Sequence, residues 1–233
     1  MHCLICDDFF MEQVSWFSFF VKQHQSCICS HCEKRFSYVT GKICEDCGRP
    51  LQDLPDIYKR GDVCYDCIRW REQNVLPYVK NRSLYVYNDW MEEVLARFKF
   101  RGDAALVSLF AADLRSAYQT HFVNSKVVPI PLSREREQER GFNQAEILAE
   151  CLQVPLMKNS FMRSETEKQS KKTRKQRLTS SCPFYFTLEE DFTNFHIVLV
   201  DDVYTTGITV RQAARCFYEK GAKSVSSLTL CRG

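Results

Sequence analysis

Nine cysteines crowd the first 67 residues, and eight of them form four Cys-x-x-Cys pairs: Cys3 and Cys6, Cys29 and Cys32, Cys44 and Cys47, Cys64 and Cys67. Two intervening residues let a tight turn aim both sulfurs at one ion, and four thiolates satisfy the tetrahedral coordination of zinc. Eight sulfurs therefore predict two structural zinc sites, since four thiolates leave no open position for catalysis. The simplest pairing joins sequential knuckles, with Cys3, Cys6, Cys29 and Cys32 in one site and Cys44, Cys47, Cys64 and Cys67 in the other. An interleaved cross-brace is the alternative that the spacing allows. Gly48, directly after Cys47, suits a knuckle turn that needs positive φ. Cys27 and His31 stand outside both sets. A redox role is disfavoured by the repetition, because a redox pair normally stands alone at a helix start. A disulfide framework is disfavoured as well: no charged and apolar leader opens the sequence, so the thiols are expected to be reduced.

A chain of 233 residues with 45% hydrophobic and 26% charged residues can bury a core of its own, in one or two domains. Its net charge of +3 is too small to identify a nucleic-acid binder. The aromatic-rich stretch over 9–21 carries Glu12 and Gln13 and is too short and polar to span a bilayer. No membrane insertion is expected, and the protein reads as cytoplasmic. Phe9, Phe10, Val14, Phe17, Phe20 and Val21 approximate a helical stripe expected to dock on the cysteine-rich part or on the rest of the chain. The character of the sequence changes near residue 80, which predicts a double zinc-ribbon domain over 1–80 and a second domain over 81–233.

That second part alternates strand and helix patterns. SLYVY (Ser83 to Tyr87) reads as a strand, and NDWMEEVLARFKF as a helix with Trp90, Met91, Val94, Leu95 and Phe98 on one face behind Asn88 or Asp89. After Gly102 and Asp103, AALVSLFAADLRSAYQ reads as one further helix. KVVPI (Lys126 to Ile130) reads as a strand, NQAEILAECL as a helix, HIVLV (His196 to Val200) as a strand, Thr209 to Lys220 as a helix and KSVSSLTL as a strand. Strands that are apolar throughout, alternating with helices, predict an α/β fold with a parallel sheet covered on both faces. The segment from Arg163 to Arg177 has many basic and almost no apolar residues, and is expected to be an exposed loop.

The most specific stretch is IVLVDDVYTTGITV (Ile197 to Val210). At the carboxyl end of a parallel strand, where ligands bind, Asp201 and Asp202 could accept hydrogen bonds from vicinal ribose hydroxyls. Thr205, Thr206, Gly207, Ile208 and Thr209 then offer hydroxyls, backbone N–H groups and a helix start to a 5′-phosphate. No Lys follows Gly207, so the stretch is not a Walker A loop.

This motif resembles the phosphoribosyl pyrophosphate signature of the type I phosphoribosyltransferases. With the cysteine knuckles, FKFRGD (Phe98 to Asp103) and VPIPLSREREQERGFNQAEILA (Val128 to Ala149), the whole chain resembles the ComF family of late-competence proteins. The resemblance implies a type I phosphoribosyltransferase fold behind a double zinc ribbon, with Mg2+ and phosphoribosyl pyrophosphate bound at Asp201, Asp202, Thr205, Thr206, Gly207 and Thr209. It implies a pyrophosphate-side loop at Pro131, Leu132, Ser133 and Arg134, and a flexible loop carrying Gln169, Lys171, Lys172, Arg174 and Arg177. In the family an Asn commonly follows three residues after that last Arg; Ser180 stands here.

Negative charge near a ribosyl cation-like transition state suits Asp201 and Asp202 as catalytic groups. Arg140, tied to the Gly141 turn, and Lys99, at a helix end whose dipole favours cations, are candidate anion contacts. The acceptor is unspecified. Resemblance to the family further implies uptake of transforming single-stranded DNA into the cytoplasm, with a helicase-like ComF partner and DNA-processing factors, peripheral at the inner membrane face. The competing reading is a non-enzymatic nucleic-acid-binding or adaptor protein built on the zinc ribbons.

Overall fold

The computed structural model describes residues 1–11, 27–52, 54–100, 104–165 and 182–233. The cysteine-rich part contributes α1 (Ser30–Glu33), β1 (Lys59–Arg60), β2 (Val63–Cys64) and α2 (Tyr65–Gln73). There follow β3 (Lys80–Val86), α3 (Asp89–Phe100), α4 (Ala111–His121), β4 (Lys126–Pro129), α5 (Arg134–Arg140), α6 (Gln144–Glu150), β5 (Phe161–Arg163), β6 (Phe184–Phe186), β7 (His196–Tyr204), α7 (Ile208–Glu219) and β8 (Ser224–Arg232). β3, β8, β7 and β4 lie side by side in that order, all parallel.

The apolar runs of the sequence become strands because both faces of this sheet are buried. Val198, Val200, Leu228 and Leu230 pack with Trp90 and Leu95 of α3, Leu114 of α4 and Leu148 of α6. Their neighbours Ile197, Leu199 and Val225 pack in the opposite layer with Ala213 and Phe217 of α7. A fully buried Leu or Phe side chain contributes about 1.5–3 kcal/mol over an exposed one. The second layer also holds an aromatic cluster: Phe161 of β5 and Phe186 of β6 meet Phe217 with centroids 4.8 and 5.1 Å away.

The cysteine-rich part is joined to both layers. Cys3, Ile5, Ile28 and Cys32 belong to the first core, and Cys44, Cys47, Cys64 and Cys67 to the second. Between them, the chain runs along the outer side of β3: Val39 N donates to Leu84 O and Val86 N to Ser37 O, both at 2.8 Å. Backbone groups of an edge strand that would otherwise be open are thereby paired. Buried Asn81 fastens the same junction. Its Nδ2 donates to Cys47 O at 3.1 Å, and its Oδ1 accepts from Ser227 Oγ at 2.9 Å. Gly48 has φ of +70°, and a Cβ there would come within 3.2 Å of Asn81 O, so the turn requires glycine.

One expectation changes. The stretch read as a single helix from Ala104 is a 3-10 segment, Ala104–Leu109, followed by α4. Ser108 Oγ donates to Ala105 O at 2.7 Å, and Phe110 N donates to Val107 O at 3.0 Å, a tighter pattern that competes with α-helical bonding. Phe110, 1% exposed, is buried at the junction. Sequence patterning also overlooked the short antiparallel pair β5–β6. The stripe residues Val14, Phe17, Phe20 and Val21 lie outside the described residues.

Candidate functional site

β4 and β7 stay paired through Pro129 and Val200, and Ile130 N still donates to Val200 O at 2.9 Å. Beyond that point they part. β7 continues beside β8, with Asp201 opposite Thr229, while the segment after β4 turns away at Pro131. A crevice opens where adjacent parallel strands diverge, which is where α/β sheets bind ligands. One wall carries Asp201 and Asp202, and the other Pro131, Leu132, Ser133 and Arg134. Pro131 is buried, Leu132 and Ser133 are half-buried and Arg134 is exposed. Asn143 anchors this second wall: its Nδ2 donates to Ile130 O at 3.1 Å while its Oδ1 caps α6 at Ala145 N, also at 3.1 Å.

The two carboxylates differ in state. Lys99 Nζ from the end of α3 forms an ion pair with Asp202. Burial works against the Asp202 charge, but the ammonium outweighs it and holds the carboxyl below its usual range. Burial and then the neighbouring Asp202 charge push Asp201 up to about 8. The pair therefore presents one anion and one acid near neutral pH. Arg140 donates to Gln144 Oε1 at 2.7 Å and lies within electrostatic range of both aspartates.

After Tyr204 the chain forms an exposed turn at Thr205 and Thr206, then enters α7 through Gly207, which has φ of +77°. A Cβ on Gly207 would collide with the Tyr204 ring, so no other residue fits. Two side chains that sequence reasoning missed hold this turn from behind. Trp70 Nε1 of α2 donates to Thr206 O at 3.1 Å, and Arg232 Nη1 of β8 donates to Tyr204 O and Thr205 O, each at 3.1 Å. The only local signal for Arg232 was a charged residue ending an apolar strand. Thr209 is half-buried and Ile208 buried in the first turn of α7. The basic-loop candidates Gln169, Lys171, Lys172, Arg174 and Arg177 lie outside the described residues.

The cysteines resolve into the sequential sets: Cys3, Cys6, Cys29 and Cys32, and Cys44, Cys47, Cys64 and Cys67, with the sulfurs of each set within 4.8 Å of one another. Zn–S bonds near 2.3 Å in a tetrahedron require sulfurs about 3.8 Å apart. Cys6 to Cys29 and Cys47 to Cys64 are both 3.7 Å. Backbone N–H groups of Cys29 and Cys64 donate to Cys3 Sγ and Cys44 Sγ at 3.3 Å, as suits thiolates. Both sets could hold zinc.

The chain is 45% identical to "Competence protein ComFC" of Bacillus subtilis, over 99% of this chain and 94% of that one. It belongs to the ComF family. The ComFC of Streptococcus pneumoniae is 31% identical over the full length of both chains. "DNA utilization protein YhgH" of Escherichia coli is 28% identical over 88% of this chain and 90% of that protein. Residues 138–233 match the phosphoribosyl transferase domain family, a span that contains Arg140, both aspartates and the Gly207 turn. Like the sheet topology, this match identifies the ComF core as a phosphoribosyltransferase fold. Among the described residues, no helix is long and apolar enough to cross a membrane.

Proposed function

We propose that the crevice binds phosphoribosyl pyrophosphate with Mg2+, and that the protein serves the uptake of transforming single-stranded DNA into the cytoplasm. The observation that carries the ligand reading is the placement of Asp201 and Asp202 at the point where β4 and β7 part, with the Gly207 turn directly after them. The aspartates receive the ribose hydroxyls. The N–H groups and hydroxyls of Thr205, Thr206, Gly207, Ile208 and Thr209 hold the 5′-phosphate. The wall from Pro131 to Arg134 faces the pyrophosphate, with Lys99 and Arg140 supplying positive charge. Mg2+ bound with the ligand would neutralise the leaving pyrophosphate. Carboxylates beside the reacting carbon favour positive charge developing there, which makes a phosphoribosyltransferase the reaction class.

The competence and DNA-utilization names of the relatives support the cellular role. In that role the zinc-bearing part and the basic segment contact single-stranded DNA. A helicase-like ComF protein and DNA-processing factors are the partners, met at the inner face of the membrane. The domain division on this reading is ribbon over 1–80 and phosphoribosyltransferase over 81–233, two parts working as one body. Calorimetric titration of phosphoribosyl pyrophosphate with Mg2+, into the native chain and an Asp201→Asn, Asp202→Asn double variant, tests the site. Saturable binding confined to the native chain supports it; no binding by a folded, zinc-loaded native chain overturns it.

A further inference from the structure

Two thiols outside both metal sites meet in the phosphoribosyltransferase core. Cys182 precedes β6, and Cys216 stands on α7, the helix that Gly207 opens. Their sulfurs are 3.4 Å apart, closer than any two sulfurs need be without a bond or a shared hydrogen. Cys182 is half-exposed and Cys216 only 8% exposed, so one is accessible and the other sheltered behind it. The surroundings keep them facing each other. Cys182 Sγ lies 3.3 Å from Gln212 O and Cys216 Sγ 3.5 Å from Phe184 O, so the start of β6 already packs on α7.

The geometry points to Cys182 and Cys216 as a reversible thiol–disulfide site, oxidised by a low-molecular-weight disulfide, that ties the start of β6 to α7. Cys182 is the attacking sulfur: hydrogen bonding from Cys216 lowers it to about 7, so much of it is thiolate near neutral pH. Its thiolate attacks one sulfur of the reagent and forms a mixed disulfide. The first reagent thiol departs and takes up the proton that Cys182 lost. Cys216 then gives up its proton and attacks the Cys182 sulfur, expelling the second reagent thiol, which takes that proton. Two electrons pass from the protein to the reagent, and the balance is two protein thiols and one reagent disulfide giving one protein disulfide and two reagent thiols. In sequence, Cys182 lies just after the basic segment that ends at Arg177. The bond would tie the residue before β6 to the helix opened by the proposed phosphate turn.

The test uses the full chain, zinc-loaded and incubated in oxidised and reduced glutathione mixtures, then alkylated, digested and weighed by mass spectrometry. A peptide pair joined through Cys182 and Cys216, formed with both zinc equivalents retained and lost on adding reduced glutathione, is expected. In Cys216→Ser a stable glutathione adduct should accumulate on Cys182; in Cys182→Ser neither the adduct nor the linked pair should form. The inference fails if zinc is released before any linked pair appears, or if the native chain keeps the adduct on Cys182 as Cys216→Ser does. None of these readouts depends on phosphoribosyl pyrophosphate binding.

Discussion

Arg232 Nη2 donates to Cys47 Sγ at 3.4 Å while Nη1 of the same guanidinium holds the carbonyls of Tyr204 and Thr205. One buried side chain therefore links the second four-cysteine site to the turn that leads into α7. Trp70 Nε1 donates to Thr206 O as well, so the turn is held from the cysteine-rich part and from its own sheet. Arg232→Met leaves these acceptors short of a donor, at a cost of about 2 kcal/mol. For a chain of this size, Tm should fall about 4–8 °C, and phosphoribosyl pyrophosphate should bind about tenfold more weakly. Thermal melts and calorimetry check both; an unchanged Tm with unchanged affinity would show that the guanidinium holds nothing.

Gly207→Ala forces a side chain into left-handed backbone, at about 1–2 kcal/mol, and drives its Cβ into the Tyr204 ring. The turn must shift, so ligand affinity should fall at least tenfold although the zinc content stays the same. Native affinity in this variant would mean that the turn does not hold the phosphate.

Asp201 carries a pH signature. Its folded pKa is raised, from an ordinary 3.8 to about 8, so folding disfavours the charged form. Its stabilising contribution is complete below the unfolded value and is lost as pH rises through the folded one. Asp201→Asn should therefore raise Tm at pH 8 relative to the native chain, with the gain shrinking as pH falls toward 4. Melting curves across that range decide it: a difference that does not vary with pH contradicts the raised value.

The two metal sites should respond differently to loss of a ligand. Cys44 is fully buried in the core shared with Val128, Tyr204 and Phe217, whereas Cys6 is exposed. Cys44→Ser should give an unfolded or aggregated chain. Cys6→Ser should lose one zinc equivalent yet keep the far-ultraviolet circular dichroism of the α/β core. Equal collapse of both variants would refute the asymmetry.

Much of this was legible before the structure. The apolar runs at His196 to Val200 and Lys126 to Ile130 read as buried parallel strands because nothing polar interrupts them, and both are. The four knuckles were legible from their spacing, and the Asp201 to Thr209 motif from its resemblance to a family signature. What stayed hidden was non-local. β5 and β6 are three residues each, too short for periodicity, and exist because Phe161, Phe184 and Phe186 pack together and against α7. Trp70 and Arg232 reach the Gly207 turn from positions remote in sequence, and no local pattern marks such a contact. Lys99 was chosen for its helix end; its pairing with Asp202 depends on how α3 crosses the sheet.

The pairing of β3 with β8 also sets an order in time. On a ribosome the knuckles emerge ahead of the sheet, and their sulfurs could gather metal while most of the sheet is still unmade. β3 follows soon after, but its partner is synthesised after β7, the Gly207 turn and α7. Asn81 must wait for Ser227, and Cys47 for Arg232, so the ribbon spends translation without the platform it rests on. Long-range parallel pairing of this kind closes slowly. The cysteine sets of a growing chain are thus complete well before the Gly207 turn is made.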